Sequence, residues 1–430
     1  DFVSASMGCA DGLSAKVLDR VLFPHSLGFF YTAMTQFLGF PYYGDEFKVM
    51  GLSSYGHPKQ LPAMRELIRE VEPFGFRLNL EAFPLLQDPY KLFIEDMQPK
   101  VLPMYTSSFV THLVGVAPRK PNDPIRPEHW NLAKSVQARF EEVATHLLHQ
   151  LYEKVPVETL GLSGGCAHNS VWVGKILQST KFKKVYVAPA AHDAGIAVGA
   201  AVYCGKSAVE PEGGHWGLLG PEAQELVTEM FSWEQDFEAL DHKTDKKLIA
   251  WLVEELCAGK IIGLSHGRME FGPRALGSRS IIADPRIPEM KDRLNGRVKH
   301  RESFRPFAAS VLKEYQADWF VTPFYSPNME AVFTVKDGMR RKIPAVVHVD
   351  KTCRIQSVDK KSQSFYWELI EAFRKNTGVP MLVNTSFNDT EPIVCSERDA
   401  FDCFTRCEMD HLVIGTNAYT RRRNKFAAAS

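Results

Sequence analysis

The densest chemistry in the chain lies between His266 and Arg305. Ten basic residues fall there: Arg268, Arg274, Arg279, Arg286, Lys291, Arg293, Arg297, Lys299, Arg301 and Arg305. Five acids face them (Glu270, Asp284, Glu289, Asp292 and Glu302), a net +5 inside a chain whose 51 basic residues balance 51 acidic ones. The arginines are interleaved with Gly, Pro and Phe, as in His266-Gly-Arg-Met-Glu-Phe-Gly-Pro-Arg-Ala-Leu-Gly-Ser-Arg-Ser280 and Lys299-His-Arg-Glu-Ser-Phe-Arg-Pro-Phe307. A solvated helix face would carry its charges at regular spacing without glycines, a pattern that fits only 286–297. The flanking stretches read as loops that aim guanidinium forks inward, and such forks hold phosphate or carboxylate oxygens in pairs. Nucleic acid is the competing ligand, but it calls for a basic domain with exposed aromatics. A small polyanion fits the neutral total better.

Two further groups could join that site. His348-Val-Asp-Lys-Thr-Cys-Arg-Ile-Gln356 supplies Arg354 after an expected strand. Val383-Asn-Thr-Ser-Phe-Asn388 ends another, and Asn384, Ser386 and Asn388 offer neutral donors and acceptors. Asn-rich turns are also common structural devices. Earlier in the chain, Leu162-Ser-Gly-Gly-Cys-Ala-His-Asn169 reads as strand, glycine turn and helix start. Such a turn offers backbone N–H groups to an anion and lets a phosphate approach where a Cβ would collide. Pro189-Ala-Ala-His-Asp193-Ala-Gly195 is a second turn at a strand end, with a carboxylate suited to capping or to a ligand.

These groups need elements to position them. Apolar residues at Leu132, Val136, Phe140, Val143, Leu147 and Leu151 predict a long amphipathic helix over 131–154. Strands are expected at 159–162 and 184–188, a helix from about Asn169, and a small-residue helix opening at Asp193. Glu210–Gly220 breaks every period and reads as a linker. Beyond it the pattern gives a helix over 245–258 and strands near 260–264, 279–283, 308–312, 330–335, 345–349, 380–384 and 411–414. Alternating elements mean an α/β fold, with a mixed sheet in the second half. The expected division is 1–215, a linker over 216–240, a domain over 241–420 and a basic tail over 421–430. At 430 residues, 24% charged and 45% hydrophobic, two or more ordinary globular domains are expected. Eight cysteines without a CxxC pair suggest a reducing, cytoplasmic setting, and Cys403 and Cys407 read as core residues. No run of 18 apolar residues appears, so no membrane partner is expected.

Several stretches, taken in order, resemble the O-carbamoyltransferases of the nodulation and antibiotic-tailoring type, the NodU/CmcH family. They are Pro24-His-Ser-Leu-Gly-Phe-Phe-Tyr31, Gly44-Asp-Glu-Phe-Lys-Val-Met-Gly-Leu52, Ser163-Gly-Gly165, His192-Asp-Ala-Gly195, Glu270–Arg279, Lys299–Phe307 and Asn384-Thr-Ser-Phe-Asn388. The resemblance implies an actin-like (ASKHA, threonylcarbamoyl-transferase-like) N-terminal domain followed by a YrdC-like domain. The second would make carbamoyl-AMP from carbamoyl phosphate and ATP with Mg²⁺, through Arg274, Lys299, Arg305 and Arg354, supported by Arg279, Asn384 and Ser386. The first would hold the nucleotide with Gly164, Gly165 and Asn169, with Asp45, Glu46 and Lys48 near its ribose. Asp193 would ligate an iron-type metal there, and the acceptor would be a hydroxyl of a small molecule. A homodimer stays open as an assembly.

Four departures accompany the resemblance. The family's N-terminal His-containing motif, its metal-binding histidine pair and an Asp ligand expected ahead of Asp1 do not occur, which reads either as loss of a first segment, the favoured expectation, or as a chain that does not bind the metal and does not complete transfer. Lys351 stands where the family usually has Gly. The acceptor pocket would come from loops such as 85–130, which carry no readable signature. Two other classes share parts of this pattern: a tRNA threonylcarbamoyl-type modification enzyme, and a non-catalytic nucleotide-binding scaffold.

Overall fold

Pro127 opens the longest element of the chain, a helix running to Lys154. Proline suits a first helical position because its fixed φ fits and no N–H is lost, and the Arg126 N–H donates to His129 Nδ1 at 3.0 Å to close the start. The buried stripe is Leu132, Val136, Phe140, Val143 and Leu148. Leu147 and Leu151, expected on that face, are only half-buried, because a 3.6-residue repeat drifts away from a strict 4-4-3 spacing over seven turns. Phe140 meets Tyr31 edge-on at 5.4 Å and Trp172 at 5.8 Å. Tyr31 belongs to the helix Leu27–Phe37, which Ser26 caps by accepting from the Phe29 N–H. Arg139 lies buried in the same unit and is fully paired, donating to Ile68 O, Glu70 and Glu142.

The computed structural model describes residues 2–12, 14–84, 92–95, 98–206, 214–217 and 237–421. By internal contacts it divides into two units, Asp1–Tyr186 with Ala197–Ala208, and Val187–Ile196 with Val209–Ser430. In the first, strands pair only in twos among the described residues: Val3–Asp11 with Ser14–Leu22, Ile68–Glu70 with Phe76–Leu78, Leu92–Glu95 with Gln98–Val101, and Thr159–Leu162 with Lys184–Val187. The helix expected from Asn169 is instead a 3₁₀ turn at Gly165–His168 followed by two single turns, Ser170–Val173 and Ile176–Ser179. Gly174 lies between them, and glycine weakens a helix interior. The small-residue helix forms over Gly195–Gly205, with none of its residues buried.

The second unit is built on one ten-stranded mixed sheet. Its strand order is Phe320–Val321, Ala331–Val335, Thr352–Val358, Ala308–Leu312, Met381–Ser386, Arg279–Ala283, Ile262–Ser265, His411–Ile414, Asn417–Arg421 and Phe237–Asp241. Two neighbouring pairs are parallel, Ala308–Leu312 with Thr352–Val358 and Ile262–Ser265 with His411–Ile414; the others are antiparallel. The mixed sheet expected for this half is therefore present. Helix Ser364–Thr377 packs on the central strands and against helix Asp245–Cys257. Residues 345–349 do not form the expected strand: Pro344–Val346 is a 3₁₀ turn, because proline at its start has no N–H to give a ladder. The partner strand is Thr352–Val358, which the hydrophobic pattern does not announce. Residues 237–240, given to the linker, pair as an edge strand, and Arg421 ends the neighbouring one. Residues 218–236 and 422–430, the rest of the expected linker and tail, lie outside the described residues, as does part of the 85–130 stretch.

Register decides which side chains share a face. Ala308 sits opposite both Arg354 and Asn384, and Ser280 sits opposite Ser386. Directly opposed residues point to the same side, so one face carries Arg354, Ala308, Asn384, Ser280 and Ser386. Two residues on along their strands, it also carries Ser310 and Gln356.

Candidate active site

The loop Glu270–Ser278 is held over that face from both sides. Glu270 Oε1 accepts from the backbone N–H groups of Leu276, Ser278 and Arg279 at 2.6, 2.8 and 3.1 Å. From below, Asn384 Nδ2 donates to Ala275 O at 3.2 Å and Gln356 Nε2 to Leu276 O at 2.7 Å. Ser310 joins the two amides, giving a proton to Gln356 Oε1 at 2.6 Å and accepting from Asn384 at 2.8 Å. The glycines follow from close approach. A Cβ on Gly277, at φ +110°, would lie 2.3 Å from the Tyr366 ring, and one on Gly272, at φ +132°, 2.5 Å from Pro189 O. No other residue satisfies both the backbone and the space.

This frame presents Arg274 beside Arg354. Lys299, Arg301 and Arg305 come from the segment that follows the turn Leu294–Val298. Lys299 Nζ donates among Ser386 O, Ser386 Oγ, Asn388 O and Asn388 Oδ1 at 2.5–3.2 Å. Arg301 is fixed by its Nε–H to Asn295 Oδ1 at 2.8 Å and lies over the Phe307 ring at 4.5 Å. Arg305 is 3.6 Å from Glu302. Among the described residues no carboxylate comes within ion-pair distance of Arg274, Lys299, Arg301 or Arg354. The arginines nevertheless keep part of their surface open to solvent.

The electrostatics register the crowding. Burial, then Arg301 and Arg305, presses Lys299 down to about 7. Burial, then Arg274 and Arg301, holds Arg354 well below the guanidinium range. Arg301 is lowered by burial and then by Arg305. Two like charges about 8 Å apart repel by roughly 2 kcal/mol at an effective dielectric near 20. A cluster of five therefore stores a repulsion that a polyanion would relieve. His348 stays neutral here, its pKa lowered by burial to about 4, and it bridges Phe307 O at 3.3 Å and Thr352 Oγ1 at 3.2 Å.

The structure thus brings Arg274, Lys299, Arg305, Arg354 and Ser386 into one group of neighbouring side chains. It adds Arg301, which sequence reasoning counted but did not select; its place between two other cations was the available signal. Arg279 and Asn384 stand differently. The Arg279 guanidinium is buried and donates to the carbonyls of Gly267, Ser278 and Cys395, and Asn384 Nδ2 pins the loop. Both support the group through the loop Glu270–Ser278.

In the first unit, Gly164 adopts φ +93°, and a Cβ on either Gly164 or Gly165 would meet nothing within 4 Å, so the turn faces open space. Asn169 is occupied by the fold. Its Oδ1 caps the Trp172 N–H at 3.1 Å, and its amide exchanges two 3.0 Å hydrogen bonds with Gln137. Gln137 in turn accepts from Tyr31 Oη at 2.8 Å, and neighbouring Thr32 donates to Glu46 Oε1 at 2.5 Å. That chain of contacts brings Glu46 and Asn169 to opposite ends of one polar network. Asp45 is buried, accepting from the Tyr42 N–H and pairing with Lys48 at 2.7 Å. Asp193 is exposed and belongs to the second unit. Among the described residues no group of three His, Cys, Asp or Glu side chains that could hold a metal ion is found, at Asp193 or elsewhere. No helix among the described residues is long and apolar enough to cross a membrane. Cys403 and Cys407 are buried, as expected of core residues.

The fold is α/β, with a group of basic side chains gathered on the mixed sheet of the second unit. Comparison with known proteins gives that class its family: residues 3–202 match the carbamoyltransferase N-terminus model and 253–421 the carbamoyltransferase C-terminus model. The chain belongs to the carbamoyltransferase family. It is 36% identical to nodulation protein NolNO of Sinorhizobium fredii over 98% of its own length and 59% of that protein's. It is also 36% identical to nodulation protein NolO of Bradyrhizobium diazoefficiens, over 96% of this chain and 72% of the relative. The chain thus spans about three fifths to three quarters of these relatives. Among solved structures, full-length HypF in its phosphate- and nucleotide-bound form covers 42% of the chain, at 15% identity and a TM-score of 0.28, a likeness too slight to carry an argument.

Proposed function

We propose that the second unit makes carbamoyl-adenylate from carbamoyl phosphate and ATP, and that the protein passes the carbamoyl group to a hydroxyl of a small molecule. The observation that carries this reading is the grouping of Arg274, Lys299, Arg301 and Arg354, four basic side chains without a carboxylate at ion-pair distance among the described residues, with Arg305 beside them. Joining two multiply charged anions requires dense positive charge already in place, because repulsion otherwise dominates the approach. Arg301 and Arg305 lie within electrostatic reach of both Lys299 and Arg354. In this reading Arg274 and Arg354 hold one anion, Lys299 with Ser386 holds the other, and Arg301 and Arg305 screen the space between. ATP would arrive as its Mg²⁺ complex. The open Gly164–Gly165 turn of the first unit would receive the nucleotide for transfer.

Calorimetric titration of carbamoyl phosphate and of Mg²⁺-ATP tests the binding half. Each should bind the chain, and Arg354→Met should weaken both by roughly tenfold to a hundredfold, the worth of about 1.5–3 kcal/mol for a charge-assisted contact. A folded chain that takes up neither ligand would exclude this function.

A further inference from the structure

Carbamoyl phosphate and ATP together contain one oxygen atom fewer than carbamoyl-adenylate, pyrophosphate and orthophosphate. The reaction proposed above therefore consumes a water, and that water must lose a proton to become a competent nucleophile. None of the basic groups described above is placed to take it. Lys299 is surrounded by four acceptor oxygens, and guanidiniums are not bases.

One pair beside these residues has the right chemistry. His300, between Lys299 and Arg301, faces Asp389 across an Nδ1–Oδ2 separation of 3.3 Å. Asp389 directly follows Asn388, which holds Lys299 through its carbonyl and side chain. Both members of the pair are therefore one residue removed from the Lys299 contact. His300 adopts φ +42°, a left-handed conformation that is strained for a residue with a Cβ and that persists only where the surroundings enforce it. Its ring is half exposed, at 50%, and so reachable by solutes. The second oxygen of Asp389, Oδ1, is buried without a hydrogen-bond partner among the described residues, so the contact of Oδ2 with His300 is the side-chain contact this carboxylate makes there. Charged neighbours on the same segment are Lys299, Arg301, Glu302 and Arg305; Glu391 follows Asp389 on the facing turn.

We propose that His300 is the base that activates the water, and that Asp389 positions it. This rests on the carbamoyl-adenylate reading. With Nδ1–H donated to Asp389, the imidazole keeps the lone pair of Nε2 free. Water attacks the carbamoyl carbon as Nε2 takes its proton. The bond from that carbon to the bridging oxygen breaks, and orthophosphate leaves with the electron pair. The products are carbamate, HPO₄²⁻ and a proton on His300. The carbamate then attacks the α-phosphorus of ATP and expels pyrophosphate.

The test uses the full chain with His300→Gly, because glycine adopts φ +42° without strain and the fold should hold. Orthophosphate release from carbamoyl phosphate should fall by roughly a hundredfold or more, carbamoyl phosphate binding should stay within about threefold of wild type, and added imidazole should restore release in proportion to its concentration. Asp389→Asn should also slow release, with no rescue by imidazole. A His300→Gly chain as fast as wild type, or a loss that imidazole does not restore, would overturn the assignment while leaving the adenylation reading intact. A wild-type chain that binds no carbamoyl phosphate would overturn both.

Discussion

Lys299 Nζ lies 2.7 Å from Asn388 O and 2.8 Å from Asn388 Oδ1, with Ser386 completing the ring of oxygens around it. This places a buried amine against the end of strand Met381–Ser386 with no carboxylate at ion-pair distance among the described residues. Burial and the arginines press its pKa to about 7 from the ordinary 10.5.

That shift has a sign that can be measured. Between about 7 and 10.5 the unfolded chain binds a proton at this lysine that the folded chain has lost. Stability from this group therefore rises with pH across that window and is lost as pH falls toward 7. An anion bound there reverses the shift, so its binding at pH 8 should take up close to one proton. Calorimetry in Tris and in HEPES should show enthalpies that differ by the buffers' ionisation heats, a difference that Lys299→Met removes. Equal enthalpies in the two buffers would contradict the placement of this lysine.

Arg301 offers a second prediction, because its guanidinium is held by Asn295 and Phe307 rather than by an acid. Arg301→Lys keeps the charge and loses the fork. Polyanion affinity should fall by roughly tenfold, about 1.4 kcal/mol, while thermal stability changes little because the charge, and with it the repulsion, is kept. Unchanged affinity would remove Arg301 from the site.

The loop of Arg274 should be sensitive where it touches no ligand. Asn384→Ala deletes the donor to Ala275 O and Ser310 and leaves buried acceptors unmet. It should cost about 1–3 kcal/mol in urea unfolding and weaken anion binding through the loosened loop. Gly277→Ala meets the Tyr366 ring at a φ that disfavours alanine and should cost more. Stability within about 0.5 kcal/mol of wild type in either variant would contradict the pinned loop.

Much of this site was legible in the sequence, and the reasons for the exceptions are physical. Arg274, Lys299, Arg305 and Arg354 stand out because guanidiniums interleaved with Gly and Pro have no ordinary helix to belong to. The strand Thr352–Val358 was invisible because Arg354 and Gln356 occupy its inward face, and hydrophobic alternation fails where a sheet carries a polar site. Arg279 and Asn384 were read as ligand-facing, since composition cannot tell a donor aimed at a carbonyl from one aimed at a substrate. The long helix was found from its period, yet its buried stripe ends on Leu148 rather than Leu147.

The first unit gives a prediction independent of the cationic group. Phe140 is buried against Tyr31 and Trp172, so Phe140→Ala should destabilise that unit by about 3–5 kcal/mol. Carbamoyl phosphate binding at the second unit should persist at temperatures where that unit remains folded, as calorimetric scans with and without ligand would show. A loss of binding at 25 °C in a chain still folded in its second half would contradict the assignment of the anion site to the second unit alone.

The most direct measurement is pyrophosphate release by the 430-residue chain supplied with ATP, Mg²⁺ and carbamoyl phosphate, beside an Arg305→Ala control. The account predicts release that requires carbamoyl phosphate and falls by at least a hundredfold in the control. A folded chain that binds ATP yet releases no pyrophosphate, or an Arg305→Ala chain as active as wild type, would contradict it.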